Sequence, residues 1–302
     1  MKVGEVREVG HGTTDLHYVE TGMFDIEGYS SVYLLDAEEP AVIETGIGTE
    51  WEAIVGAMET VGIAPEELAY VAPTHVHLDH AGGAGYLAEA CPNAEVVIHE
   101  IGAPHLVDPG RLWEGTKRAV GDQIRHYAEP KPVPEERIRE VTDGDLIDLG
   151  DHELAVHHVP GHAPHQVVHY DPANDAVFTA DAAGIYVPDM DAVKPTTPPP
   201  NFDVPQAVDD TRTIADLGPS VLCYSHFGPL PAEDRLDEHE RALTEFVELV
   251  EERRELLGDD EAVVQQFVEG TDLADAWSPD RARAVAEMDV RGILRYLDTR
   301  EE

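Results

Sequence analysis

Within Thr74-His75-Val76-His77-Leu78-Asp79-His80-Ala81-Gly82-Gly83, three imidazoles and a carboxylate fall inside six positions, shortly after the apolar run Leu68 to Ala72. That run has the character of a buried strand, so the fold must carry a strand end to a place where polar ligands can gather. Side chains two apart on an extended backbone face the same way, and His75 and His77 can therefore close on one ion. Asp79 and His80 fall on the following turn, where they can aim at a second ion beside the first. Imidazole together with carboxylate suits zinc, iron or manganese and does not suit calcium. With 16 histidines in the chain, the competing reading is a solvated histidine-rich loop. Ligands at strand ends further along the chain decide between the two.

Three such positions exist. Pro160-Gly161-His162 follows the run Glu153 to Val159, and the glycine lets the backbone turn so that His162 can serve the first ion as a third ligand. Thr179-Ala180-Asp181 ends the apolar run from Ala176, and a carboxylate there can bridge two cations. Ser225-His226 follows Ser220 to Tyr224, and His226 can complete the second ion.

The rest of the chain reads as strands and helices in alternation. Leu16 to Glu20, Ser31 to Leu35 and Ala41 to Glu44 form a punctuated meander. An amphipathic helix is expected over Thr49 to Val61, a further helix over Gly85 to Cys91 and a strand over Glu95 to His99, which together make a βαβ rhythm. Residues 102–134 read as a helical or looped insertion, either one wall of a substrate cleft or a surface excursion. Asp145 to Leu149 with Glu153 to Val159, and Gln166 to Tyr170 with Ala176 to Thr179, read as two hairpins. Gly184 to Pro205 reads as a stiff proline-rich loop, and Ala207 to Leu217 as a helix. Beyond Pro231 the composition changes to helix formers, with helices over Leu236 to Leu257, Ala262 to Gly270 and Ser278-Pro279 to about Tyr296. The expected organisation is a catalytic domain over residues 1–230 and a helical extension over 231–302.

Charge narrows the partners. Acidic residues outnumber basic ones 62 to 20, for a formal charge of −42, and the lysines are Lys2, Lys117, Lys131 and Lys194. Such a surface repels phosphate backbones and anionic membranes, so neither nucleic acid nor membrane is expected as a partner. Lysine-poor acidity of this kind resembles proteins adapted to molar salt, and a halophile's cytoplasm is the expected setting. Cys91 and Cys223 stand apart from any paired motif and fit a reducing compartment. The charged first ten residues carry no apolar core, so no secretory leader is expected.

The run Thr74 to Gly83, taken with Pro160-Gly161-His162, Thr179-Ala180-Asp181 and Ser225-His226, resembles the metallo-β-lactamase-fold superfamily over roughly residues 12–230. The resemblance implies an α/β fold of four layers, the αββα sandwich, with metals at one edge of the two sheets. It implies that His75, His77 and His162 hold the first metal and Asp79, His80 and His226 the second, with Asp181 between them. The bridging aspartate is closer to the glyoxalase II and lactonase branch than to true β-lactamases, and the whole-length pattern resembles archaeal members without assigned substrates. Two departures stand out: Glu44 precedes Thr-Gly where many members have aspartate, and Cys-Tyr-Ser-His-Phe-Gly replaces the Gly-His-Glu of glyoxalase II.

The activity implied is hydrolysis of an ester, thioester or lactone in a small molecule, by a hydroxide held between two divalent ions, zinc before iron or manganese. Asp79 would orient the nucleophile and pass its proton on, and Tyr186 would donate to the oxyanion. His165 is a candidate for supporting the ligands. The competing enzyme is a mononuclear iron sulfur dioxygenase, which would leave Asp79 or His226 idle. A non-catalytic metal-binding or regulatory protein is the alternative of another class, and it predicts eroded ligands. Val247, Leu249, Leu256 and Leu257 on the C-terminal helices could cover the site or pair two subunits as a homodimer.

The acidity makes its own prediction. Raising KCl from about 0.1 M to about 1 M shortens the screening length from about 10 Å to about 3 Å, and the thermal unfolding midpoint should rise by several degrees. A midpoint that stays level or falls would remove the halophile reading.

Overall fold

The computed structural model describes residues 1–273 and 276–301. Their contacts divide into two units, one made of Met1–His158, His165–Ala180 and Gly218–Ala232, the other of Val159–Pro164, Asp181–Leu217 and Glu233–Glu302. The C-terminal helices, from Glu233 on, group with two segments from the middle of the chain.

The first unit holds two sheets. The larger has the order β1 (Val6–Glu8), β2 (Leu16–Glu20), β3 (Ser31–Leu35), β4 (Ala41–Ile43), β5 (Tyr70–Ala72), β6 (Glu95–His99) and β7 (Ile138–Val141). The smaller runs β15-β14-β11-β10-β9-β8, built from β8 (Leu146–Asp148), β9 (Glu153–His158), β10 (Val167–Asp171), β11 (Ala176–Phe178), β14 (Val221–Cys223) and β15 (Pro229–Pro231), while β12 (Ile185–Val187) and β13 (Ala192–Lys194) pair separately.

Strand alternation explains the layering. In β3, Val32 and Leu34 enter one apolar cluster while Tyr33 and Leu35 enter another, and in β4 Val42 and Ile43 divide the same way. A sheet sorted like this is covered on both faces. On one face lie α1 (Trp51–Val61), through Ile54, Ala57 and Met58, and α3 (Ala84–Ala90), through Leu87 and Ala88. On the other lie Leu154, Val156, Val167, Phe178, Val221 and Cys223 from the smaller sheet. Strands β4 to β7 run parallel, so their C-terminal ends share one edge. The start of β3 meets the end of β14 at that edge, where Ser31 N donates to Ser225 O at 2.8 Å.

The insertion after β6 is helical, with α2 (Leu78–Ala81) preceding it and α4 (Ala103–Val107) and α5 (Gly110–Val120) inside it. Leu106 and Val133 anchor it in the same cluster as α1.

The second unit contains the β12–β13 hairpin, α6 (Val204–Asp216), α7 (Arg235–Leu257), α8 (Asp260–Gly270) and α9 (Pro279–Glu301). Its core is formed by Leu243, Val247 and Val250 of α7, Val263 and Val264 of α8, and Val290, Ile293, Leu294 and Leu297 of α9. Asp259 caps α8 by accepting from Glu261 N. Ser278 Oγ accepts from Arg281 N at 3.3 Å ahead of α9, as expected for serine before a proline at the first helical position. The hairpin lies inside the stretch expected to be an irregular loop: buried Val187 and Val193 pull two short strands together, and Asp191 turns between them at φ 45°. Among the described residues, no helix is long and apolar enough to cross a membrane.

Burial leaves a pH signature in β10. His169 is fully buried, and loss of hydration pushes its imidazole down to about 4. The folded value lies below the unfolded one, so the ring's contribution to stability is whole above about pH 6.5 and is lost as pH falls through about 4. Relative to His169→Leu, the wild-type protein should lose about 3 kcal/mol of unfolding free energy between pH 7 and pH 4. Parallel pH profiles in urea titrations would show that the ring does not titrate this way.

Candidate metal centre

The shared edge of the first unit gathers the histidine cluster because two backbone turns pack against one another there. Glu44-Thr45-Gly46 leaves β4 with Glu44 in the left-handed region at φ 70°. Thr45 N and Thr45 Oγ1 both donate to His80 O at 2.7 Å, and Gly83 N donates to Thr45 Oγ1 at 3.0 Å. A Cβ on Gly82 would sit 2.4 Å from Leu78 O, and one on Gly83 would sit 2.5 Å from Thr45 O. The Gly-Gly pair is what permits this approach.

The imidazoles are held as a group. His75 Nε2 and His77 Nδ1 lie 3.0 Å apart, close to the nitrogen spacing of about 3.3 Å expected between two ligands of one tetrahedral zinc. The His75 and His80 rings are 4.2 Å apart, and the His80 and His226 rings 5.3 Å. Asp79, His80 and His226 each offer a ligand atom within 4.8 Å of the others. His226 is fixed from behind by Tyr29, ring to ring at 4.6 Å, and by the backbone bridge between Ser30 and His226.

Two buried side chains that sequence reasoning left unresolved or missed set the protons. Thr74 Oγ1 donates to Glu44 Oε1 at 2.6 Å and stands 3.0 Å from His75 Nδ1. Its one proton is spent on the carboxylate, so the His75 Nδ1–H must be the donor between them, which turns Nε2 toward His77 with its lone pair. The other Glu44 oxygen lies 3.2 Å from His80 Nδ1, at ion-pair distance. The glutamate therefore orients one candidate ligand, His75, through Thr74 and places its charge beside a second, His80. Nothing in the local sequence marks Thr74 for this, because its partner is thirty residues away.

His165 also joins this group. Its ring stacks with His75 at 6.1 Å and 12°, and its Nδ1 accepts from Val76 N at 3.5 Å, which leaves the proton on Nε2. His99 and His158 stack on each other, at 4.0 Å.

In the second unit, His162 Nε2 lies 3.4 Å from Asp181 Oδ2, and both side chains are buried. Gly161 earns its place there: its N donates to Asp210 Oδ2 at 2.6 Å, and a Cβ would meet Ala207 N at 2.3 Å. Tyr186 is engaged elsewhere, its hydroxyl donating to Asp191 Oδ1 at 3.0 Å and its ring lying under Arg235.

A family model described as the metallo-β-lactamase superfamily matches residues 25–226. The chain belongs to that superfamily. Its members are mostly hydrolases that bind divalent metals, usually zinc. The buried imidazole and carboxylate donors described above fit such ions. A metallo-β-lactamase fold-containing protein of Sulfurisphaera tokodaii is 26% identical over 229 residues, covering 74% of this chain and 82% of that one. A protein of Gallus gallus named acyl-coenzyme A thioesterase is 25% identical over 181 residues, 55% of this chain and 62% of that one. Among solved structures, an archaeal superfamily member from Sulfolobus tokodaii superposes with a TM-score of 0.71 at 21% identity, covering 93% of this chain and 99% of its own. The fold is thus the αββα metallo-β-lactamase sandwich with C-terminal helices.

Removing the Glu44 carboxylate takes away the acceptor of the Thr74 proton and the charge beside His80. Glu44→Ala should weaken zinc binding about ten- to a hundredfold, read by chelator competition, with the circular dichroism spectrum unchanged. Wild-type affinity in a folded variant would assign Glu44 to packing alone.

Proposed function

We propose that this protein is a metal-dependent hydrolase that cleaves an ester, thioester or lactone in a small molecule, with His75, His77 and His162 holding one divalent ion, Asp79, His80 and His226 a second, and Asp181 shared. The observation that carries the reading is the grouping of Asp79, His80 and His226 within 4.8 Å. A mononuclear iron dioxygenase has no use for this second set of donors.

Bound divalent ions supply an acidified water and an electrophile for the carbonyl oxygen. The chain's own residues do the rest. Asp79, part-exposed at the start of α2, accepts the proton of the attacking water and hands it to the departing alkoxide or thiolate. Glu44 and Thr74 keep His75 in the ligating tautomer throughout. His165, with its proton on Nε2, can hydrogen-bond a substrate oxygen beside His75. The Tyr186 hydroxyl is committed to Asp191, so no step is assigned to it.

The thioester is favoured among the three bonds by the name of the Gallus gallus relative. A formal charge of −42 opposes a polyanionic leaving group at low ionic strength, which directs the choice toward compact substrates or a salt-screened cytoplasm. The free, buried Cys91 and Cys223 are consistent with that compartment.

Protein purified without added metal should contain close to two zinc, iron or manganese ions per chain and should hydrolyse members of a panel of small thioesters and lactones. His226→Ala should lose about one ion and most of the turnover. One iron with oxygen consumption on a persulfide would select the dioxygenase. Retention of both metals and full turnover in His226→Ala would overturn the ligand set.

A further inference from the structure

We propose that the C-terminal helix α9, through Asp289, is a positioning element for His162 and Asp181, with Thr197 and Thr196 transmitting the constraint. The proposal deepens the metal-site reading above and rests on it.

Thr196 Oγ1 donates to the Asp181 carbonyl at 3.1 Å and lies 3.2 Å from His162 Nδ1. A hydroxyl has one proton and a carbonyl can only accept, so the hydrogen between Thr196 and the ring must come from Nδ1. The Thr196 carbonyl oxygen, 3.4 Å from the same nitrogen, makes the same demand. Both contacts select the Nδ1–H tautomer of His162. Nε2, which lies 3.4 Å from Asp181 Oδ2, then presents its lone pair for a cation.

Thr196 is held in turn by what its neighbour does. Thr197 N donates to Asp289 Oδ1 at 2.8 Å, and Thr197 Oγ1 donates to Asp289 O at 2.9 Å. One helical turn on, Thr197 O rests against Gly292, where a Cβ would come within 1.6 Å. Loop and helix therefore meet more closely than any side chain at 292 would allow. With amide, hydroxyl and carbonyl of Thr197 all engaged by α9, the adjoining Thr196 peptide has little freedom to turn. Pro195 and Pro198 fix φ on either side.

Two groups act on Asp289: Thr197 through hydrogen bonds and the buried Arg281 through its charge. Asp289 is buried in a helix whose neighbouring positions Val290, Ile293 and Leu294 are core residues. Loss of hydration pushes its carboxyl up to about 7, so an ionised carboxylate there opposes folding. Its acceptor oxygens serve Thr197.

The test uses the full-length chain labelled with ¹⁵N-histidine, first without metal. In the wild-type protein, the His162 ring nitrogens should report a protonated Nδ1 and an unprotonated Nε2. In Thr196→Val and Asp289→Ala they should drift toward a tautomer mixture. Thr196→Ser and Asp289→Asn, which keep the oxygen atoms in question, should retain the wild-type pattern. Zinc affinity by chelator competition should fall about ten- to a hundredfold in the first two variants and recover in the second two. Thermal melting of each variant identifies any that is simply unfolded, and Thr196→Val carries the test if Asp289→Ala is one of them. A wild-type tautomer with wild-type zinc affinity in folded Thr196→Val and Asp289→Ala would overturn the positioning role. Failure of the wild-type protein to bind zinc, iron or manganese would instead sink the metal reading, and the ring spectra would still decide the tautomer.

Discussion

A buried imidazole binds a cation only through a nitrogen that carries no proton, so the hydrogen bond made by its other nitrogen decides whether it is a ligand. In this protein that decision is made by a carboxylate under the histidine group. Glu44 takes the Thr74 hydroxyl proton with one oxygen and faces His80 Nδ1 with the other. From this follow the orientation of His75, its approach to His77, and the crowding of three rings around one point. The parallel strands β4 and β5 matter because they bring Glu44 and the cluster to the same sheet edge.

Much of the architecture is legible in the chain because local pattern and burial agree. The meander, the βαβ rhythm, the strand ahead of the histidines and the three C-terminal helices have strong apolar periods and turn or cap residues at their ends. What was missed has weak local character. β1 is a three-residue edge strand reading Val-Arg-Glu, and β15 contains two prolines; each is a strand only because a neighbour pairs with it. β7, reading Ile-Arg-Glu-Val, adds to β6 after a long helical insertion. The hairpin within residues 184–205 was hidden by its prolines. The grouping of the C-terminal helices with two central segments is a tertiary fact with no compositional trace.

The site divides along a similar line. Imidazoles and carboxylates at strand ends declare themselves by residue type and spacing, and the grouping of Asp79, His80 and His226 was readable in that way. Glu44 could be picked out as a departure but not given a role, since its effect depends on which carboxylate oxygen faces which partner. Thr74, Thr196 and Asp289 were invisible because a threonine or an aspartate has no fixed meaning until its proton has somewhere to go. Tyr186, close in sequence to the candidate ligand Asp181, drew a catalytic role; in the structure its hydroxyl donates to Asp191 and its ring lies under Arg235.

The recurrence of one device in both units is the firmest reason to treat proton placement as a requirement of the chemistry. Thr74 spends its proton on a carboxylate oxygen of Glu44, and Thr196 spends its own on the carbonyl of Asp181; each then accepts from the Nδ1 of a histidine. The two threonines lie on different elements, use different acceptors and share no local sequence pattern. Packing could place a threonine beside a histidine once by chance. Placing both with the hydroxyl proton already taken, and with the remote ring nitrogen in each case near another candidate ligand, is what a cation would require, because only that arrangement leaves each Nε2 lone pair facing its neighbour, His77 in one unit and Asp181 in the other.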